Sequence, residues 1–226
     1  MSTPMQTIRL TTAQALTRFL INQHVELDDG SEMPFFAGVW AIFGHGNVAG
    51  IGEALYQVRD QLPTYRGHNE QSMALAAIAF AKARQRQQVM VATTSIGPGA
   101  TNLVTAAGVA YVNRLPVLLV PGDVFASGQP DPVLQQSENF ADGSSTVNDA
   151  LRPVSRYFHR ITRPEQLIQA LTQAMVALTD SALCGPATIS VCQDVQSLAF
   201  NYPEHMFEKQ VWRLRRQGPD QHELNQ

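Results

Sequence analysis

Glu70 heads a run of small apolar residues, His68-Asn69-Glu70-Gln71-Ser72-Met73-Ala74-Leu75-Ala76-Ala77-Ile78-Ala79-Phe80-Ala81, and its type and place suit proton chemistry. An acid in a first helical turn ordinarily complements the positive end of the helix dipole. A carboxyl desolvated by Met73, Ala74 and Ala77 would do more, because it could share a proton with a ring nitrogen. Further along, Val89-Met90-Val91-Ala92-Thr93-Thr94 breaks into Ser95-Ile96-Gly97-Pro98-Gly99-Ala100-Thr101-Asn102. That turn offers free backbone groups and little side-chain bulk. The two segments together suggest a pocket for a flat heterocycle.

Other candidates compete with this reading. Gly97-Pro98-Gly99-Ala100-Thr101-Asn102 imitates a dinucleotide fingerprint, and Asp123 closes the next strand where a ribose-binding acid would sit. Asn102 stands in place of the third glycine and Pro98 stiffens the turn, so a plain strand-to-helix turn explains the segment as well. Ser95 lies between strand and helix like a nucleophile elbow, with His159 downstream, but Thr93 occupies the position where that motif has glycine. His45, in Gly44-His45-Gly46-Asn47, falls at a strand end beside glycines that permit close approach. It could contact a substrate or simply be satisfied by backbone. No histidine belongs to a metal-ligand pattern: neither His68-Asn69-Glu70 nor His222-Glu223 continues into a two-histidine helix motif. Asp142-Gly143 with Asn148-Asp149 only superficially suggests a cation site, and a polar loop accounts for it better. Cys184 and Cys192 have no metal or redox spacing and read as reduced thiols in or near a core strand.

The elements that must position these groups alternate. Leu16, Phe19 and Leu20 recur at helical spacing after the potential caps Thr11 and Thr12. Residues 38–43 read as a buried strand, 48–59 as a helix, and 64–66 as a short extended piece. The Glu70 helix should end near residue 86. Residues 88–94 form a strand, 100–112 a helix and 116–120 another buried strand. Residues 154–161, 164–179 and 186–192 add strand, helix and strand. Such alternation predicts an α/β fold, a doubly wound, mostly parallel sheet with helices on both faces. Ligands on such sheets lie at the carboxyl ends of the strands, where the Gly44 loop, the Ser95 turn and the Gly122-Asp123 corner all fall. Residues 125–150 are polar, and a loop that long is usually functional or an interface. After Asp194 the pattern stops. The expected division is a domain over 1–199 and a linker or tail over 200–226, whose Arg213, Arg215 and Arg216 read as a solvated linker better than as a nucleic-acid patch.

Composition removes several classes. The 226 residues are 44% hydrophobic, enough for one large core. A net charge of −3 leaves no footprint for nucleic acid. No basic-then-apolar leader and no apolar run of about 20 residues is found, so a soluble cytoplasmic protein without membrane contact is the expectation. With only 15% charged residues, most of the surface is expected to be neutral polar or covered by a partner.

Together the segments resemble the amino-terminal, pyrimidine-binding domain of thiamine diphosphate enzymes of the acetolactate synthase type. The resemblance is carried by Arg66-Gly67-His68-Asn69-Glu70-Gln71-Ser72-Met73-Ala74, by the stretch from Thr94 to Thr105, and by Leu115-Pro116-Val117-Leu118-Leu119-Val120-Pro121-Gly122-Asp123. Within that superfamily the chain is particularly similar to the inositol-catabolism branch that opens a cyclic 1,2-diketone by hydrolysing a carbon–carbon bond, giving a deoxyglucuronic acid. That likeness rests on residues 36–50, on Arg152-Pro153-Val154-Ser155-Arg156-Tyr157 and on Cys184-Gly185-Pro186-Ala187-Thr188.

The resemblance implies that Glu70 hydrogen-bonds the ring nitrogen of the cofactor's aminopyrimidine and so promotes its activation, while the cofactor serves as electron sink for carbon–carbon cleavage. It implies further that Gly97, Pro98 and Asn102 pack near the pyrimidine and that His45 faces the substrate. The family anchors the diphosphate through Mg2+ in a separate carboxyl-terminal domain beginning Gly-Asp-Gly. That sequence is absent here, since Gly122-Asp123 continues with Val124. The resemblance therefore implies a catalytically incomplete piece, from a truncated or split gene or an excised fragment, that needs the diphosphate domain of another chain and belongs to a homo-oligomer when complete. An acetolactate synthase-like carboligase, a non-catalytic interaction domain and a Rossmann-type nicotinamide protein are the alternatives.

Overall fold

The computed structural model describes residues 6–128, 133–137, 139, 141–215 and 218–225. Arg216 of the arginine cluster, the start of the chain through residue 5, and parts of the polar stretch after residue 128 lie outside the described residues.

In chain order the strands are β1 (Thr7–Thr11), β2 (Gln23–Glu26), β3 (Glu32–Pro34), β4 (Phe36–Ala41), β5 (Thr64–Arg66), β6 (Val89–Thr94), β7 (Val117–Asp123), β8 (Tyr157–Ile161), β9 (Pro186–Cys192), β10 (Ala199–Pro203) and β11 (Gln210–Arg213). The principal helices are α1 (Thr12–Ile21), α2 (Glu53–Gln57), α3 (Glu70–Ala83), α4 (Pro98–Thr101), α5 (Val104–Asn113) and α6 (Gln166–Thr179). Six strands form one sheet in the order β5-β4-β6-β7-β9-β8, every pair parallel.

Side-chain alternation along the central strands builds two cores. Val89 and Val91 of β6, with Leu118 and Val120 of β7, face α1 and α6 through Leu16, Phe19, Leu167, Leu171 and Met175. Met90, Ala92, Val117 and Leu119 face the other way, onto Met73, Ala74, Ala77, Leu103, Ala106 and Ala107 of the α3–α5 side. Both faces of the sheet are therefore covered, which is why its strands read as unbroken apolar runs. The expected α/β architecture is the observed one.

Several boundaries differ for identifiable reasons. Thr11 caps α1 through a reciprocal pair with Gln14, leaving Thr12 as the first helical residue. The helix expected over 48–59 opens instead as a π turn, Val48–Gly52, before α2. There Gln196 Oε1 accepts from the Ile51 N–H at 3.2 Å, and a side chain inserted in this way is a known cause of such widening. The helix expected over 100–112 starts earlier, because Pro98 suits a first helical turn, and it breaks at Asn102–Leu103 into α4 and α5.

Past residue 199 the chain does not leave the domain at once. β10 pairs antiparallel with β1, and β11 pairs parallel with β2, which itself pairs with β3. Tyr202 is fully buried and bonds the Pro164 carbonyl. The stretch expected as a linker or tail from 200 onward is thus strand-paired through Arg213.

Candidate functional site

The first strand of the central sheet in sequence, β4, has the second, β5, on one side and the third, β6, on the other. The winding direction reverses between β4 and β6, so the crevice beyond their carboxyl ends is the expected ligand position. The loops that meet there carry His45, the Ser95–Gly97 turn and, after β5, Glu70.

Glu70 is the first residue of α3, behind an Asn69 cap whose side chain accepts from the Ser72 N–H at 2.9 Å. Its carboxylate is part-exposed and half engaged. Asn102 Nδ2 donates to Oε2 at 2.9 Å. Among the described residues Oε1 has no hydrogen-bond partner. Opposite Oε1 stands Gly99, where a Cβ would come within 3.3 Å. Gly99 therefore lies close against the unpartnered oxygen without a side chain, and Asn102 is the tether of the carboxylate. The apolar residues expected to dry Glu70 do otherwise: Met73, Ala74 and Ala77 are buried toward the sheet. Gly99 and Asn102 are the neighbours that shape its setting.

Gly97 has a different role from Gly99. Its φ of +68° lies in the left-handed region, and a Cβ would overlap the Gln135 carbonyl oxygen. Only glycine lets the 133–137 segment close down on the turn. Pro98 follows at the exposed start of α4. The structure thus brings Glu70, Gly99 and Asn102 into contact, with Gly97 and Pro98 fixing the turn. Gly99 had no separate role in the sequence reading, although its place two residues after a rigid glycine was a usable signal.

His45 sits on the loop after β4, held from several sides. Gly44 N–H donates to Asn47 Oδ1 at 2.9 Å, Gly46 N–H donates to Ser95 Oγ at 3.2 Å, and Gln196 Nε2 donates to the Gly46 carbonyl at 2.7 Å. Gly46 packs against Ile96, and a Cβ on Gly122 would overlap the Gly46 carbonyl, so the loop crosses the end of β7 on bare backbone. The ring itself reaches Gln193 Oε1, 3.4 Å from Nδ1.

The rival sites dissolve. Asp123 is fully buried; Ser190 Oγ donates to its Oδ2 at 2.6 Å and Arg160 Nε at 2.9 Å, while Oδ1 takes the Val124 N–H. An acid committed in this way has no reach to a ribose. Arg160 also pairs with Asp149 at 2.8 Å, and Asp149 with Arg152 at 2.6 Å. Burial would pull the Arg160 guanidinium down, but the Asp123 charge and the bonds to Asp123 and Asp149 outweigh it and hold it above its ordinary value. Burial likewise opposes ionisation of Asp149, yet hydrogen bonds from Arg152, the Thr146 N–H and Arg160 keep its carboxyl below the usual range.

Ser95 accepts from Gly46, and His159 lies on β8, three strands from β6, a separation of about 14 Å at the usual strand spacing. No serine–histidine pair exists there. Burial first, and the Arg152 charge second, push His159 below its ordinary value. Asn148 donates to the Gly122 carbonyl and to Ser190, so with Asp149 it anchors the loop after residue 141 to the sheet. No metal-binding group of His, Cys, Asp and Glu occurs among the described residues. Cys184 and Cys192 are free and buried, and burial raises both thiols, Cys184 to about 11. No helix among the described residues is long and apolar enough to cross a membrane.

Residues 37–143 match the family described as "Thiamine pyrophosphate enzyme, N-terminal TPP binding domain". The chain is 55% identical over 215 residues to the 3D-(3,5/4)-trihydroxycyclohexane-1,2-dione hydrolase of Geobacillus thermodenitrificans, covering 95% of this chain and 34% of that protein. Hydrolases of the same name from Shouchella clausii and Listeria monocytogenes are 53% and 52% identical over 221 residues, 98% of this chain and 34% of each. The chain spans about a third of the length of the curated relatives it matches. The likeness is thus to the amino-terminal domain of thiamine pyrophosphate enzymes over residues 37–143, and to about a third of each hydrolase over nearly the whole chain.

Proposed function

We propose that this chain, whose residues 37–143 match a thiamine pyrophosphate enzyme amino-terminal domain, supplies the pyrimidine half of a thiamine diphosphate site. The observation that carries the proposal is the half-engaged Glu70 carboxylate, with Asn102 on one oxygen and Gly99, which has no side chain, beside the other. A tethered carboxylate with one free oxygen suits a ring nitrogen that shares a proton in the plane of a flat heterocycle. Gly99 leaves room for the ring, while Gly97 and Pro98 hold the turn that presents Asn102. Bound there, thiamine diphosphate would supply the electron sink for carbon–carbon cleavage. Glu70 would hold the proton at the ring nitrogen, and the crossing loop would place His45 on the substrate side.

The whole protein is then a hydrolase of trihydroxycyclohexane-1,2-dione, the substrate in the relatives' name, and the resemblance to the inositol-catabolism branch would place it in that route. Its diphosphate and Mg2+ would be held by a carboxyl-terminal domain of another subunit. The outward faces of α3 and α5, where Ala76, Ala79, Val109 and Val112 are exposed, support a partner that covers them.

Calorimetry tests the reading. The chain is titrated with thiamine diphosphate and Mg2+, alone and then mixed with the carboxyl-terminal portion of a relative. Binding and diketone hydrolysis are expected in the mixture only, with Glu70→Gln lowering turnover by about 10²- to 10⁴-fold, the scale of one general acid–base group. Tight binding by the isolated chain, or turnover indifferent to Glu70→Gln, would sink the proposal.

A further inference from the structure

The His45 imidazole ends a chain of hydrogen bonds whose directions follow from its far end. The backbone N–H of Phe125 can only donate, and it meets Gln136 Oε1 at 3.4 Å. The NH2 of the same amide therefore faces away, and Gln136 Nε2 donates to Gln193 Oε1 at 2.8 Å. Gln136 is 1% exposed, so solvent does not compete for that amide. Gln193 Oε1 is thus fixed as an acceptor with one lone pair to spare. His45 Nδ1 faces it at 3.4 Å, so Nδ1 carries the hydrogen, and in the neutral ring Nε2 carries the lone pair. Nε2 is shut from solvent and has no hydrogen-bond partner among the described residues. A buried acceptor in that state is costly until a donor reaches it.

We infer that the Phe125 N–H, Gln136 and Gln193 set His45 as a hydrogen-bond acceptor for a hydroxyl group of the substrate. Gln136 and Gln193 are then positioning residues that act through His45. The ligand class is a neutral polyhydroxylated ring, whose hydroxyls donate. A carboxylate or fully ionised phosphate would bring lone pair against lone pair. The nature of the ligand rests on the function proposed above, whereas the tautomer does not.

The tautomer is read from the imidazole nitrogen shifts of the 15N-labelled full chain, with His45→Gln assigning the signals. The Nδ1–H form is expected in the unaltered chain, replaced by the Nε2–H form or a mixture in Gln193→Met and restored in Gln193→Glu, which keeps an acceptor. An Nε2–H ring in the unaltered chain, or an Nδ1–H ring that persists in folded Gln193→Met, overturns the inference. If that variant does not fold, Gln136→Leu decides by the same readout.

In the complemented enzyme, Gln193→Met should raise KM for the diketone by about tenfold, the loss of one hydrogen bond, with kcat and thiamine diphosphate affinity changed less. An unmoved KM with cofactor bound overturns the hydroxyl contact. Failure of the mixture to bind cofactor would instead count against the proposed function and leave the tautomer result standing.

Discussion

Two acids at the carboxyl edge of the same sheet have opposite surroundings. Asp123 is fully buried and saturated, with Ser190, Arg160 and the Val124 N–H on its two oxygens. Glu70 is part-exposed, held by Asn102 through one oxygen and open at the other. The first arrangement contributes to holding loop, strand and edge strand together, because Arg160 also takes Asp149 and the Thr146 hydroxyl. The second contributes little to holding anything. A group whose partners are complete has been spent on the fold, and one left incomplete in a crevice is available to a ligand.

The contrast is broken most directly at Asp123. Asp123→Ala leaves the Arg160 guanidinium largely buried without its deepest partner, and removing one member of a buried pair typically costs about 3–5 kcal/mol. Urea denaturation measures it, and a loss under ~1 kcal/mol would show that the network is not structural. Gly97→Ala comes next. A left-handed non-glycine backbone costs roughly 1–3 kcal/mol, and here displacement of Gln135 adds to it. The same denaturation series should place it above any substitution at Gly99, whose backbone is ordinary.

A pH series separates two part-buried groups. The folded His159 takes its proton at lower pH than an unfolded histidine, whose value is about 6.5. Below that point the unfolded chain binds a proton first, so stability falls as the pH falls. His159→Phe should flatten stability just below pH ~6.5. The Asp149 contribution has a lower window: it is present above the unfolded aspartate value of about 3.9 and is lost further down, as the folded carboxyl protonates. Unfolding midpoints that do not respond to His159→Phe in the upper window would contradict its partly desolvated state. The smallest effect belongs to Glu70→Gln, about 0.3–1 kcal/mol for a lost charge at a helix start. A larger loss would mean that Glu70 is a structural acid like Asp123.

The alternating strands and helices were legible because each central element carries its own pattern. The two-faced β6 and β7, with the alanine-rich α3 behind them, need no distant information. The ribbons β1–β10 and β2–β3–β11 were not legible, since Thr7–Thr11 becomes a strand only by meeting Ala199–Pro203 from the other end of the chain. The π turn at Val48–Gly52 was hidden for the same reason, as its cause is Gln196. Within the site, Glu70 and the glycine turn stood out by residue type. The distinction between Gly97 and Gly99 did not, because it depends on which neighbour each meets, Gln135 or Glu70. Asp123 stood open as a ribose-acid candidate because its partners Ser190 and Arg160 are remote in sequence.

The β1–β10 ribbon also has a consequence in time. Thr7 lies opposite Pro203, and Thr11 opposite Ala199, so this pairing closes almost the whole chain into one loop. Such closure costs entropy before it returns contacts, and non-local pairing of this kind is slow. During synthesis β1 lacks its partner strand until residue 203 has emerged from the ribosome. The amino-terminal strand of the domain is therefore among the last to lock, after the sheet that carries Glu70 is able to assemble.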